Sequence, residues 1–271
     1  MLGLACCWSG AAPAQLQLLP GNEPQQVFAG EARKIAVIWH NPGEKAIEAS
    51  LRTRLFQTSS ATAVRLSESP WKKLQVLPGQ TVMESAALDF PAVKAETPFL
   101  VQWLEGTNRV PGKTEVLVYP PDLLKELKPL TEDEPLGVFD PNNQLKPLLK
   151  NVKADFTDLE DAGLESFRGK LAIIGPFQSN TQMREGLAEQ IQKLASKGVA
   201  VVWIQPPPEL RDPIKPSFYI VPEGKSAVVV VQAGLVSNLP ENPQSQLNLI
   251  YFCKLALNPE SPRLPGLTTQ P

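Results

Sequence analysis

The chain has 271 residues, 42% of them hydrophobic and 20% charged, with a formal net charge of −2 and a pI near 5.7. These values fit a soluble globular protein with room for two domains, and they give no electrostatic reason to expect nucleic acid or an anionic membrane as partner. Proline, at 28 residues, is about twice its usual share; it falls mainly at strand ends and linkers, the pattern of a rigid, loop-rich protein.

Residues 1–14 are apolar and small and end in Ala12-Pro13-Ala14 before Gln15. They lack a basic start but resemble the tail of a secretory leader with an A-x-A cleavage site, which places the protein outside the cytoplasm, in a periplasmic or cell-envelope setting. Leu4-Ala5-Cys6-Cys7 is a loose approach to a lipoprotein signal. With the leader removed, Cys253 is the remaining cysteine and no intrachain disulfide forms. No run of about 18 apolar residues is present to span a membrane as a helix.

From 15 to 119 the sequence alternates apolar and polar residues between turn signals. Ile47, Ala49, Leu51, Thr53 and Leu55 point one way, and Glu48, Ser50, Arg52 and Arg54 the other. Further strands are predicted at 16–19, 34–40, 73–76, 81–90, 99–105 and 113–119, separated by Asn41-Pro42-Gly43, Pro78-Gly79 and Pro111-Gly112. About seven short strands is the count of an immunoglobulin-like (Ig-like) β-sandwich. With Asn41-Pro42-Gly43 after the second strand and Leu77-Pro78-Gly79-Gln80 before a long one, this part resembles the Ig-like modules of bacterial carbohydrate-active and cell-envelope proteins. Trp39, Trp71 and Trp103 are either a sugar-stacking platform or core, and core is the commoner role of tryptophan in an alternating strand. His40, the single histidine, has no Cys, Asp or Glu at ligand spacing and reads as a solvent-edge residue. Arg33, Lys34, Lys72 and Lys73 read as solvated strand ends.

Residues 120–134 read as a linker, a short helix followed by an acidic, proline-bounded stretch. From 135 strands and helices alternate. Strands are predicted at 136–140, 154–159, 170–174, 199–204, 218–221 and 227–232. Helices are predicted at 144–151, at 182–196 with Gly198 as its stop, and at 243–257 with Leu247, Ile250, Tyr251 and Leu255 on its buried side. Residues 260–271 read as a disordered tail.

Three stretches of this second part carry a resemblance: Phe167-Arg168-Gly169-Lys170-Leu171-Ala172-Ile173-Ile174-Gly175; Lys197-Gly198-Val199-Ala200-Val201-Val202; and Val228-Val229-Val230-Val231-Gln232 with the later Asn242-Pro243-Gln244. Over 135–259 it resembles the class I glutamine amidotransferase-like domain. The resemblance implies a flavodoxin-like, three-layer α/β fold with a mostly parallel sheet, here of the catalytically empty kind. In catalytic members a cysteine occupies the sharp turn after the strand equivalent to 199–204. This chain has Gln205-Pro206-Pro207-Pro208 there, and proline has neither an N–H for an oxyanion nor the freedom to form a strained elbow. Cys253 lies in an apolar helix with no histidine in its domain to activate it.

No nucleotide-binding loop is present and no cofactor or metal is expected; carboxylates such as Asp155, Asp158, Glu160 and Asp161 read as solvated. In a parallel sheet, ligands sit at the carboxyl ends of the strands, so the candidate ligand-binding residues are Asp140, Asn142, Asn143, Gln178, Ser179, Asn180 and Gln205. Their mostly amide and hydroxyl groups suit a protein or neutral glycan partner. The expectation is a non-catalytic, exported binding or scaffolding protein. The alternative is a glycosidase-like hydrolase, or an accessory part of a carbohydrate-active enzyme, pairing Asp140 with a second carboxylate about 5–10 Å away.

Overall fold

A computed structural model describes residues 15–107, 109–132, 134–206 and 217–260. The leader-like segment, the tail from 261, and Pro207 and Pro208 of the proline turn lie outside the described residues. Packing divides the chain into two compact units, one ending at Pro120 and one beginning at Pro121. Among the described residues no helix is long and apolar enough to cross a membrane.

The first unit contains β1 (Gln17–Leu19), β2 (Gln25–Phe28), β3 (Ala32–His40), β4 (Ile47–Thr58), β5 (Ala63–Val76), β6 (Thr81–Asp89), β7 (Thr97–Glu105) and β8 (Arg109–Tyr119). One sheet has the order β1-β3-β6 and the other β2-β8-β7-β4-β5. Alternation makes β4 two-faced: Ala49, Leu51, Thr53 and Leu55 are buried, while Glu48 and Ser50 are exposed and Arg52 and Arg54 lie between these extremes. Ala49, Leu51 and Leu55 join Ile35, Val37 and Trp39 of β3 with Phe99, Val101 and Trp103 of β7 in one core. Each fully buried side chain of this size contributes about 1.5–3 kcal/mol.

Two strands of this unit were not legible as predicted. Pro20 and Pro24 bracket the passage of the chain from the first sheet to the second, where β2 pairs parallel with β8. At the crossing the Gln25 side-chain amide donates to the Ala36 carbonyl at 2.6 Å and accepts from the Ala36 N–H at 2.9 Å, taking the place of a neighbouring strand. β5 runs through Ser69-Pro70 because it is an edge strand, with its pairing to β4 interrupted near Leu66 and Trp71.

The second unit opens with a short 3₁₀ helix, Leu123–Glu126, and α1 (Leu127–Leu130), both packed on the last helix. The stretch read as a linker is thus mostly helical and belongs to this unit. There follow β9 (Leu136–Phe139), α2 (Lys146–Asn151), β10 (Phe156–Asp158), α3 (Leu159–Ala162), β11 (Leu171–Ile174), α4 (Leu187–Ser196), β12 (Ala200–Gln205), β13 (Phe218–Glu223), β14 (Ser226–Gln232) and α5 (Pro243–Leu257). The sheet order is β10-β9-β11-β12-β14-β13, parallel except for β13, which returns antiparallel to β14. Leu187, Ile191 and Leu194 of α4 cover one face.

α5 corrects a prediction. It is buried nearly all round, including Ser245, Gln246, Asn248 and Cys253, while Leu247 is only half-buried. Loop carbonyls take up its buried side-chain N–H donors: Gln246 Nε2 donates to Leu239 O and Asn248 Nδ2 to Leu235 O, both at 2.8 Å. A helix buried on all sides has no wet face to read.

The expected pairing of an Ig-like sandwich with a flavodoxin-like domain is also corrected. The described residues are mixed α/β, with 43% strand and 23% helix in three sheets. One sheet is antiparallel and two are mixed, because β2 joins its sheet parallel and β13 joins its own antiparallel.

Candidate functional site

Asp140, at the end of β9, is completely buried. Its carboxylate accepts the N–H groups of Gln144 at 3.1 Å, Leu145 at 2.7 Å and Lys146 at 3.0 Å, fixing the backbone that enters α2. Its own N–H donates to Glu160 Oε1 at 3.0 Å. The Lys146 ammonium then donates to Glu160 Oε1 and to Asp158 Oδ2, each at 2.6 Å, with its side chain only 9% exposed. Burial works against both charges, but the hydrogen bonds between them win. Lys146 titrates above the ordinary lysine value and Asp158 below the ordinary carboxylate value.

The next loop along the edge is joined to the first by a pair of amides. Asn142 Nδ2 donates to the Pro176 carbonyl at 3.0 Å and to Gln182 Oε1 at 3.1 Å, and Gln182 Nε2 returns a bond to Asn142 Oδ1 at 3.0 Å. Gln182 Oε1 also accepts the Gln178 N–H at 2.7 Å. Asn143 sits at φ +51°, a left-handed turn position that asparagine tolerates, and its N–H bonds to Asp140 O. Ser179 pairs with Thr181 at 2.8 Å, and Asn180 opens a short 3₁₀ turn. Gln205 stands in register with Gln232 at the end of β12 and β14.

The structure therefore brings Asp140, Asn142 and Gln178 together; the side chains of Asp140 and Asn142 and the backbone N–H of Gln178 are engaged in building the loops, while the Gln178 side chain is exposed. Sequence reasoning missed Lys146, Glu160 and Gln182. Asp158 and Glu160 were read as solvated, yet both are held by one lysine. The available signal was three charges, Lys146, Asp158 and Glu160, flanking a three-residue strand. Arg184, also unassigned, lies 5.1 Å over the Phe139 ring.

Two carboxylates touching one ammonium are within roughly 5 Å of each other, the separation at which a retaining glycosidase works. Such an enzyme needs one carboxyl protonated, and the lysine opposes that at Asp158. Among the described residues, no group of three or more His, Cys, Asp or Glu is arranged to hold a metal.

In the first unit the three tryptophans form one cluster, with Trp71 and Trp103 ring centroids 4.9 Å apart and Trp39 and Trp103 5.9 Å apart. Trp39 and Trp103 are fully buried and Trp71 is half-buried, so the cluster is core and offers no open sugar platform. His40 bonds to Thr81 Oγ1 at 3.0 Å.

No family profile matches this chain. No curated protein matches it either. Among solved structures it is similar in part to the alkylpurine DNA glycosylase AlkC of Pseudomonas fluorescens, with 11% identity and a TM-score of 0.29 over 40% of this chain and 31% of that one. It is similar in part to a β-glucosidase of Listeria innocua, with 15% identity and a TM-score of 0.30 over 41% and 17% of the two chains. A GH3 β-glucosidase of Bifidobacterium adolescentis matches at 10% identity and a TM-score of 0.27 over 39% and 17%. The chain thus spans less than a third of the length of each of these proteins, at TM-scores too low to carry fold or function. The resemblance to Ig-like modules and to the amidotransferase-like domain is withdrawn, because the three sheets of the described residues fit neither pattern.

Proposed function

We propose that this chain is a non-catalytic binding or scaffolding protein of the cell envelope, with a protein or glycan partner. One observation carries the reading. At the carboxyl edge of the six-stranded sheet, Asp140, Asn142, Lys146 and Glu160 hydrogen-bond to backbone and to one another. A catalytic carboxylate needs a free lone pair or proton aimed at substrate, and both oxygens of Asp140 and one oxygen of Glu160 are committed to holding loops. The Ala12-Pro13-Ala14 pattern supports the envelope setting.

The test is hydrolysis of glutamine, an activated ester and an aryl glycoside by the purified full chain and its Glu160→Gln variant. The reading expects both proteins to stay at background. Turnover by the native chain that disappears in Glu160→Gln would favour a hydrolase instead.

A further inference from the structure

On the outer face of the five-stranded sheet, Arg52, Arg54 and Arg65 converge on the single carboxylate of Glu68. Arg54 Nε is 2.8 Å and Arg65 Nη2 2.7 Å from Glu68 Oε2, and Arg52 Nη1 bonds to Oε1. Glu68 is lowered below the ordinary carboxylate range, chiefly by its hydrogen bond with Arg54. The strand register extends the row: Glu68 lies opposite Arg54, Arg54 opposite Gln102, and Gln102 opposite Lys113. On the neighbouring row Arg65 lies opposite Phe56, Phe56 opposite Leu100, and Leu100 opposite Glu115. Around Glu68 three arginines, Arg52, Arg54 and Arg65, meet one carboxylate, while Lys113 and Glu115, and further along the face Glu48 and Lys73, cancel; Glu96 lies at the far end of the face, bonded to Tyr119. This is a local excess of two positive charges around Glu68 in a chain whose net charge is −2.

We infer that this face is a docking surface for an extended acidic peptide segment of a partner protein. The inference rests on the binding reading above and names its partner class. Arg52 and Arg54 are two residues apart on one strand, so they repeat at about 6.6–7 Å, the interval between alternate side chains of any extended chain. A peptide with Asp or Glu at every second position presents carboxylates at that same interval, and arginine forks recognise them by paired hydrogen bonds. The site is preorganised, since Arg52 Nη2 is pinned to the carbonyls of Gly106 at 3.0 Å and Thr107 at 2.7 Å, which lowers the ordering cost of binding. Glu68 holds the guanidiniums together while neutralising only one of them. The half-buried Phe56 and Leu100 beside Arg65 give the intervening side chains an apolar contact.

The probe is a fluorescent ten-residue peptide alternating Glu and Thr, titrated by anisotropy against the full chain in low salt. A polyuronate of similar charge serves as competitor, and circular dichroism checks the fold of each variant. The inference expects saturable binding that weakens about tenfold for Arg54→Ala and about two- to threefold for the rim variant Arg65→Gln. It also expects binding to tighten several-fold for Glu68→Gln, because the internal competitor is gone. A purely structural ion-pair cluster predicts the opposite for Glu68→Gln: lower stability and no gain in binding. Absence of saturable peptide binding, unchanged binding by folded Arg54→Ala, or preference for the polyuronate would each overturn the inference. None of these outcomes bears on the hydrolysis assay, so the two readings fail separately.

Discussion

Lys146 holds two carboxylates at once, and the titration of the region follows from that. Asp158, lowered in the folded state, contributes stability that is complete above the unfolded carboxylate pKa and is lost as pH falls through its folded value. Lys146, raised, contributes stability present below the unfolded lysine pKa and lost as pH rises through its folded value. Asp158→Asn is therefore expected to flatten the acid limb of stability, by about 1 kcal/mol or less because the carboxylate is partly exposed. Urea unfolding between about pH 3 and pH 7 reads this; an acid limb identical to that of the native chain contradicts it. Cys253 is the contrasting residue. It is wholly buried in α5, and burial raises its thiol far above the ordinary range. Native-state alkylation should be no faster than unfolding, and Cys253→Ala should cost about 1–2 kcal/mol as a small cavity. Rapid labelling of the folded protein by iodoacetamide would refute this placement.

At the scale of elements, Gly175 connects β11 to the candidate site. Its φ is +103°, and a Cβ there would stand 2.5 Å from the Ile204 carbonyl oxygen of the neighbouring β12. Gly175→Ala combines a strained backbone with a clash against main chain and is expected to cost more than about 2 kcal/mol; a melting temperature equal to that of the native chain would contradict this. Such features also mark what could be read in the sequence. The alternation in β4 and the continuous apolar runs of β12 and β14 reflect one buried face and two buried faces, and both were visible as periodicity. β2 was hidden because its role depends on which distant strand it joins. β5 was cut short because its polar, proline-containing middle is tolerated only at a sheet edge. α5 was given a wet face it lacks, since Gln246 and Asn248 look like surface residues until loop carbonyls come to meet them. At the site, the carboxyl edge pointed to Asp140 and Asn142, but spacing could not disclose that Lys146 and Gln182 satisfy the groups around them.

For the whole molecule, the division falls between Pro120 and Pro121, and the helical stretch after it packs on α5. Limited proteolysis should leave a carboxyl-terminal fragment that begins near 121, and a stable fragment beginning near 135 would contradict that packing. The account of function depends on a single claim, that the polar groups at the carboxyl edge of the six-stranded sheet serve architecture. Residues kept for catalysis or ligand contact commonly can be replaced at little or no cost in stability, whereas a buried group that satisfies several backbone donors cannot. The direct measurement is the unfolding free energy of Asp140→Ala by urea denaturation at neutral pH. The account predicts a loss of about 2–4 kcal/mol, because three N–H groups at the entry to α2 lose their acceptor. A variant as stable as the native chain would contradict it and return Asp140 to the list of functional groups.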